Sequence, residues 1–336
     1  MASQHDPDLY FDDGNIVLSA KDGKEQAIYF RLYRGILAYN SPVFSDMLAM
    51  PPPQIVEHYD GVPLVEMPDD ADDLRVLLSL LFAPQSISGL LNARDFPSKL
   101  LEPTRLAKKY QIDWILQAVA LQLQKSWPTT LLGWDGVIAN EDEEEGLMMG
   151  GGWNPLYEDG TLESRLLPDP VSSIHIARLC DTPAILPFAF YRLLTWLTPE
   201  HENSEEAMFA SWKNAPREEL ISQQPEDWPR LVKAQKRVGR WFADEVSSLR
   251  SNPCPNQPPC QEKTRAWFSF SKNVGRNGDF LLFSKYHSDP TNRSEDSLAK
   301  GLCPICKPIL QGRINALRWK FAGQLSYFFQ LEEVVV

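Results

Sequence analysis

The sequence predicts an α+β fold, a small mixed sheet with flanking helices at the N-terminus followed by a mainly α-helical region. Three observations carry this. Ile28, Phe30 and Leu32 alternate with Tyr29, Arg31 and Tyr33, the period-two pattern of a strand with one buried face. Leu74, Leu77, Leu78, Leu81 and Phe82 recur at i, i+3, i+4, i+7 and i+8, the stripe of an amphipathic helix. From Val171 onward helical periodicity dominates.

Taken in order, Asp22-Gly23 supplies a turn that folds the 28–32 strand back on residues 15–18 as a hairpin. Ser41 offers a side-chain oxygen as N-cap, and Pro42 follows where its missing N–H costs nothing. A helix is therefore expected from there, with Val43, Phe44, Met47 and Leu48 inward, ending at Pro51-Pro52-Pro53. A short third strand, 64–67, leads to Asp69-Asp70, which cap the leucine-rich helix. Two more helices are expected at 102–110 and 114–125, with Asp113 as a cap between them.

The composition then changes. Glu141 to Glu145 is an unbroken acidic run and Gly150 to Gly152 follows, so self-repulsion and glycine entropy oppose packing, and 133–165 reads as an acidic, Gly-rich flexible linker. A helical region is expected over 166–250, with helices at 171–179, 184–197, 212–220 and 228–250. The last places Leu231, Val238, Phe242, Val246 and Leu249 on one face and Lys233, Lys236, Arg237 and Arg240 outside, a solvated face. Residues 251–336 hold two cysteine pairs and a closing amphipathic helix with Leu317, Phe321, Leu325 and Phe328 at helical spacing.

The 336 residues are 43% hydrophobic and 23% charged, ordinary globular values and enough for two cores. Lys+Arg 33 against Asp+Glu 45 gives a net charge of −12, which repels a phosphate backbone, so no nucleic-acid partner is expected. The polar, acidic first eight residues lack the features of a signal peptide, and the apolar runs fall far short of the roughly 20 residues that span a bilayer. An intracellular protein of the cytoplasm or nucleus, with no membrane partner, is the expectation. Asn292-Arg293-Ser294, a glycosylation pattern, is then an ordinary loop.

Five cysteines in a reducing compartment raise the question of metal. Cys303-x2-Cys306 can aim two thiolates at one ion, and Cys254-x5-Cys260 supplies a second pair, a set of four soft ligands that suits a structural zinc site. The five-residue gap of the first pair is wider than usual, so free thiols stay open as the next reading and disulfides as the last. His287, in a turn-like stretch, is read as a loop residue, and Cys180 as a small buried hydrophobe.

No Gly-x-Ser-x-Gly elbow, phosphate loop, dinucleotide fingerprint or His-Glu-x-x-His is present. The 201–206 run, His-Glu-Asn-Ser-Glu-Glu, lacks the second histidine, and His58 and His175 stand alone. No catalytic residues are assigned, and an enzyme is not expected.

The segments 12–18, 28–38 and 41–47, with Leu106-Ala107-Lys108-Lys109-Tyr110-Gln111-Ile112, resemble a BTB/POZ domain over residues 8–127, about a third of the chain. The resemblance is to BTB proteins abundant in mushroom-forming fungi, many of which end in a region with two cysteine pairs like Leu302-Cys303-Pro304-Ile305-Cys306 and a closing aromatic helix. It implies a protein-interaction protein that forms homodimers or hetero-oligomers, with the start of the domain and the Ser41 helix as the contact face. In some members it implies an adaptor that brings clients to a cullin-type ubiquitin ligase. The alternative is a nuclear transcription regulator whose zinc-stabilised C-terminal region contacts nucleic acid, but its cations (Lys263, Arg265, Lys272, Arg276, Lys285, Arg293) are dispersed.

Overall fold

The computed structural model describes residues 4–51, 57–93, 95–137, 167–197, 224–249, 260, 280–281 and 302–331. The chain divides into two compact units, residues 1–125 with 175–182, and residues 126–174 with 183–336. An N-terminal sheet of five strands and a mostly helical remainder make it a mixed α/β protein.

The first unit opens with β1 (Gln4–Tyr10), β2 (Ile16–Lys21) and β3 (Ala27–Leu32). β2 and β3 form the expected antiparallel hairpin, Leu18 opposite Phe30. Its turn is built by Asp22, whose carboxylate accepts the N–H groups of Lys24 and Gln26, and the left-handed residue is Glu25 (φ 61°), not Gly23. At the other end of the hairpin Gly14 is a steric necessity, since a Cβ there would meet the Arg31 side chain at 2.9 Å and its backbone at 3.0 Å.

β1 was not foreseen. It runs parallel to β3 and breaks register between His5 and Tyr10. Asp6 supplies what the ladder loses: one carboxylate oxygen accepts the N–H groups of Asp8 (3.0 Å) and Leu9 (2.9 Å), and the other accepts from Arg75 Nε at 2.5 Å. The buried Asp6 carboxylate, satisfied by these three donors, anchors a strand whose own sequence carries little strand signal.

Helices α1 (Arg34–Asn40) and α2 (Pro42–Ala49) meet at Ser41. Asn15 accepts the Arg34 N–H at 2.8 Å and so starts α1 from the hairpin, and Ser41 caps α2 through Phe44 N–H as expected. Of the four residues placed inward on α2, Phe44 is fully buried and Val43, Met47 and Leu48 are half-buried. β4 (His58–Tyr59) and β5 (Val62–Asp70) follow, giving the order β1-β3-β2-β5-β4, with β5 parallel to β2. Tyr59 stacks on Tyr29 at 4.1 Å, so the β4–β5 hairpin curls back over one face of the sheet.

Asp70 caps α3 (Ala71–Phe82) by accepting from the N–H groups of Asp72 and Asp73. Leu74, Leu77, Leu78 and Leu81 are buried, together with Leu80, and each contributes about 1.5–3 kcal/mol of hydrophobic stabilisation. A short α4 (Ile87–Leu91), absent from the expectation, precedes α5 (Phe96–Lys109), which begins six residues earlier than read because Pro97 sits in its first turn. α6 (Asp113–Ser126) includes Asp113 in its first turn. α5 ends with Gln111 left-handed (φ 54°) and the Ile112 N–H returned to the Ala107 carbonyl, a Schellman-type close. Tyr110 there stacks on Phe44 at 4.5 Å, and burial with the Asp69 carboxylate holds its hydroxyl protonated above the usual phenol range.

In the second unit residues 131–137 are helical and Trp134 is fully buried, so the first residues assigned to the linker by composition are packed. The rest of that linker, 138–165, and the 212–220 helix lie outside the described residues. Helices α7 (Pro170–Leu179), whose residues from 175 on belong to the first unit, α8 (Leu186–Leu197) and α9 (Asp227–Leu249) match the remaining expectations, while the closing helix, expected over 313–331, starts at Cys306 as α10 (Cys306–Ala322) and, after a break at Gly323-Gln324, ends as α11 (Leu325–Phe329). Leu231, Val238 and Phe242 of α9 are buried with Leu317, Phe321, Leu325 and Phe328, while the side chains of Val246 and Leu249 lie outside those described. Lys233, Lys236 and Arg240 are exposed, but Arg237 turns in to donate to the Phe328 carbonyl. Phe321 is the hub of an aromatic cluster, edge-on to Tyr191, Trp241, Phe242 and Phe280.

Candidate metal centre

The second unit brings Cys260, Cys303 and Cys306 together, their sulfurs all within 4.8 Å of one another. Cys260 is buried, and Cys303 and Cys306 are half-exposed. The sequence spaces the latter two so that Cys303 precedes the first turn of α10 and Cys306 opens it, the Lys307 N–H closing onto the Cys303 carbonyl at 3.1 Å. Residue 260 arrives from 43 positions away, and the Cys303 N–H donates to its sulfur at 3.3 Å.

The backbone prepares these sulfurs for negative charge. The Cys306 N–H donates to the Cys303 sulfur at 3.4 Å, and chiefly through it the Cys303 thiol is pulled down to about 7. Tetrahedral zinc with bonds of about 2.3 Å needs sulfurs about 3.8 Å apart, so the three thiols reach that spacing by contracting at most about an ångström. Three sulfur donors and no carboxylate fit a soft or borderline cation and not magnesium or calcium.

The helix that Cys306 opens is held further along its length. Phe280 stands edge-on to Phe242 at 4.4 Å, and the Leu281 N–H donates to the Tyr191 hydroxyl. Arg318, on the buried side of α10, donates to the Leu281 carbonyl and pairs with Asp135. The metal-facing end of α10 is thus part of a helix anchored elsewhere along its length.

Of the four ligands expected from spacing, three converge, and Cys254 lies outside the described residues, as do His287 and the 201–206 run. None of the four described cysteines is in a disulfide. Cys180 stands apart in the first unit, half-buried, its thiol pushed up to about 11 by burial despite the Lys108 ammonium. His58 lies on β4 and is exposed; His175 is buried in α7.

The first unit offers no comparable cluster among the described residues. An open depression beside the β2–β3 turn is lined by Asp22, Glu25, Glu66, Asp69 and Asp70, but Asp22 holds the turn, Asp69 pairs with Lys109 at 2.5 Å and Asp70 caps α3. Its surface does carry apolar groups: Tyr39 on α1 is 90% exposed and Met50, after α2, is 65% exposed. No described helix is long and apolar enough to cross a membrane by itself. Comparison of the chain with family models, with curated proteins and with solved structures finds no match.

Proposed function

We propose that this chain is a non-enzymatic protein-interaction protein whose N-terminal unit acts as a BTB/POZ-type module. The module docks a second copy of itself or another protein, and a cullin-type ubiquitin ligase is the partner class that the resemblance offers for the latter. The observation that carries the reading is Tyr39. It is 90% exposed at the end of α1 beside the α1–α2 corner, and it offers an amphipathic ring of the kind enriched at protein interfaces. The order of elements agrees with the resemblance: a hairpin, a helical pair joined at Ser41, a strand parallel to β2, then helices.

In this reading the chain is a two-part connector, the helical unit is its second half, and a structural zinc ion braces that half. Cys260, Cys303 and Cys306 hold the ion, and Cys254 is the fourth ligand that the sequence offers. Thiolate donors aided by backbone N–H groups support zinc over a hard cation. The nucleic-acid alternative gains no comparable support, because the cations of the cysteine region that it needs are dispersed along the sequence in a chain of net charge −12.

The test is light scattering of the purified full chain, wild type against Tyr39→Asp, together with a pull-down using a purified cullin N-terminal domain. The wild type is expected to scatter as a dimer or to retain the cullin, and Tyr39→Asp to lose that association with its circular dichroism unchanged. A strict monomer that retains no cullin would overturn the proposal.

A further inference from the structure

The three thiols of the metal centre are not equivalent. Cys260 is 1% exposed, whereas Cys303 and Cys306 both reach solvent. They are separated by two residues at the start of a 17-residue helix, and the Cys306 N–H already points at the Cys303 sulfur. A Cys-x-x-Cys pair at the start of a helix can close to a disulfide within one turn, and here the sulfurs, within 4.8 Å of each other, need to approach to about 2.05 Å. Cys260 comes from a distant part of the chain and is shielded from a dissolved oxidant. A disulfide sulfur has no charge to offer a cation, so the bond and the metal exclude one another.

We infer that Cys303 and Cys306 form a peroxide-sensitive latch on the metal, an inference that rests on the zinc reading of the triad. The Cys303 thiolate attacks a hydroperoxide, forming an S–O bond as the O–O bond breaks and releasing hydroxide or alkoxide. The Cys306 thiolate then attacks the Cys303 sulfur, forming the S–S bond and expelling hydroxide. Two electrons pass from the thiolates to the peroxide, and solvent protons convert the expelled oxygens to water or alcohol. The ion loses two of the three ligands that the structure brings together and leaves, which unlinks residue 260 from the start of α10. A thiol reductant returns the two electrons and restores the site.

The experiment uses the full chain, purified with zinc under reducing conditions and then freed of thiol. Hydrogen peroxide is added in steps while a chromogenic chelator reports zinc and mass spectrometry reports the protein. The latch predicts one zinc released per chain as the mass falls by two hydrogens, a bond mapped between Cys303 and Cys306, and zinc rebinding after reductant. Cys180→Ser is expected to behave as the wild type. Zinc retained at a large excess of peroxide would overturn the latch, and so would release accompanied by a sulfinic acid or by a disulfide to any other cysteine. A chain purified without zinc would overturn the metal reading and the latch together; one that holds zinc and forms no 303–306 bond would overturn the latch alone.

Discussion

The Ser41 hydroxyl donates a 2.5 Å hydrogen bond to the Tyr110 carbonyl, 69 residues along the chain, while its oxygen accepts the Phe44 N–H at 3.0 Å. One fully buried hydroxyl thus starts α2 and fastens it to the end of α5, above the stacked rings of Phe44 and Tyr110.

Ser41→Ala removes both bonds and leaves a carbonyl and an N–H unsatisfied in the core. A destabilisation of about 2 kcal/mol is expected from the cap and the buried bond together. Urea unfolding followed by circular dichroism checks this, and a midpoint within error of the wild type would refute the account of the α1–α2 corner.

Arg318 is 6% exposed and pairs with Asp135. Asp135→Ala strands a buried guanidinium and is expected to cost about 3 kcal/mol, whereas Asp135→Leu with Arg318→Met recovers most of that loss, because an apolar pair carries no desolvation penalty. A double-mutant cycle on thermal unfolding reads the difference.

Asp169 begins α7 by accepting the Ser172 N–H at 2.7 Å. Burial raises its carboxyl above the ordinary value of 3.8, and the bonds donated by Ser172 and Val171 only partly offset this. A group whose folded pKa is raised contributes stability that is fully present below the unfolded value and is lost as pH rises through the folded one. At neutral pH the ionised Asp169 is therefore a cost. Asp169→Asn keeps a cap acceptor and is expected to raise stability at pH 7, with the gain shrinking as pH falls toward 3.8. An equal gain at both ends of that range would contradict the burial argument.

What the sequence made legible follows the strength of local signals. The β2–β3 hairpin, the Ser41 and Asp70 caps and the leucine stripe of α3 are written in residues within a few positions of one another, and the structure places them as read. β1 was hidden because Gln4 to Tyr10 contains Pro7 and two buried or half-buried apolar residues, and its stability comes from Arg75, far along the chain. α5, read from 102, starts at Phe96, where Pro97 in the first turn costs no hydrogen bond. In the metal centre the 303–306 pair was visible from spacing, and the approach of Cys260 was an expectation that only tertiary packing fulfils.

The cysteines can be ranked by substitution. Cys260→Ser, Cys303→Ser and Cys306→Ser are each expected to lower zinc content at least tenfold in a chelator competition, and Cys180→Ser to leave it unchanged. Cys254→Ser tests the four-cysteine set drawn from the spacing, with the same tenfold loss expected. Zinc content unaffected by Cys254→Ser would leave a three-cysteine site.

The connector account is tested most directly by native mass spectrometry of the intact, reduced protein, which weighs association and metal in one spectrum. A species of twice the 38.2 kDa chain mass carrying two zinc ions is the predicted result. A single chain at its metal-free mass would contradict it.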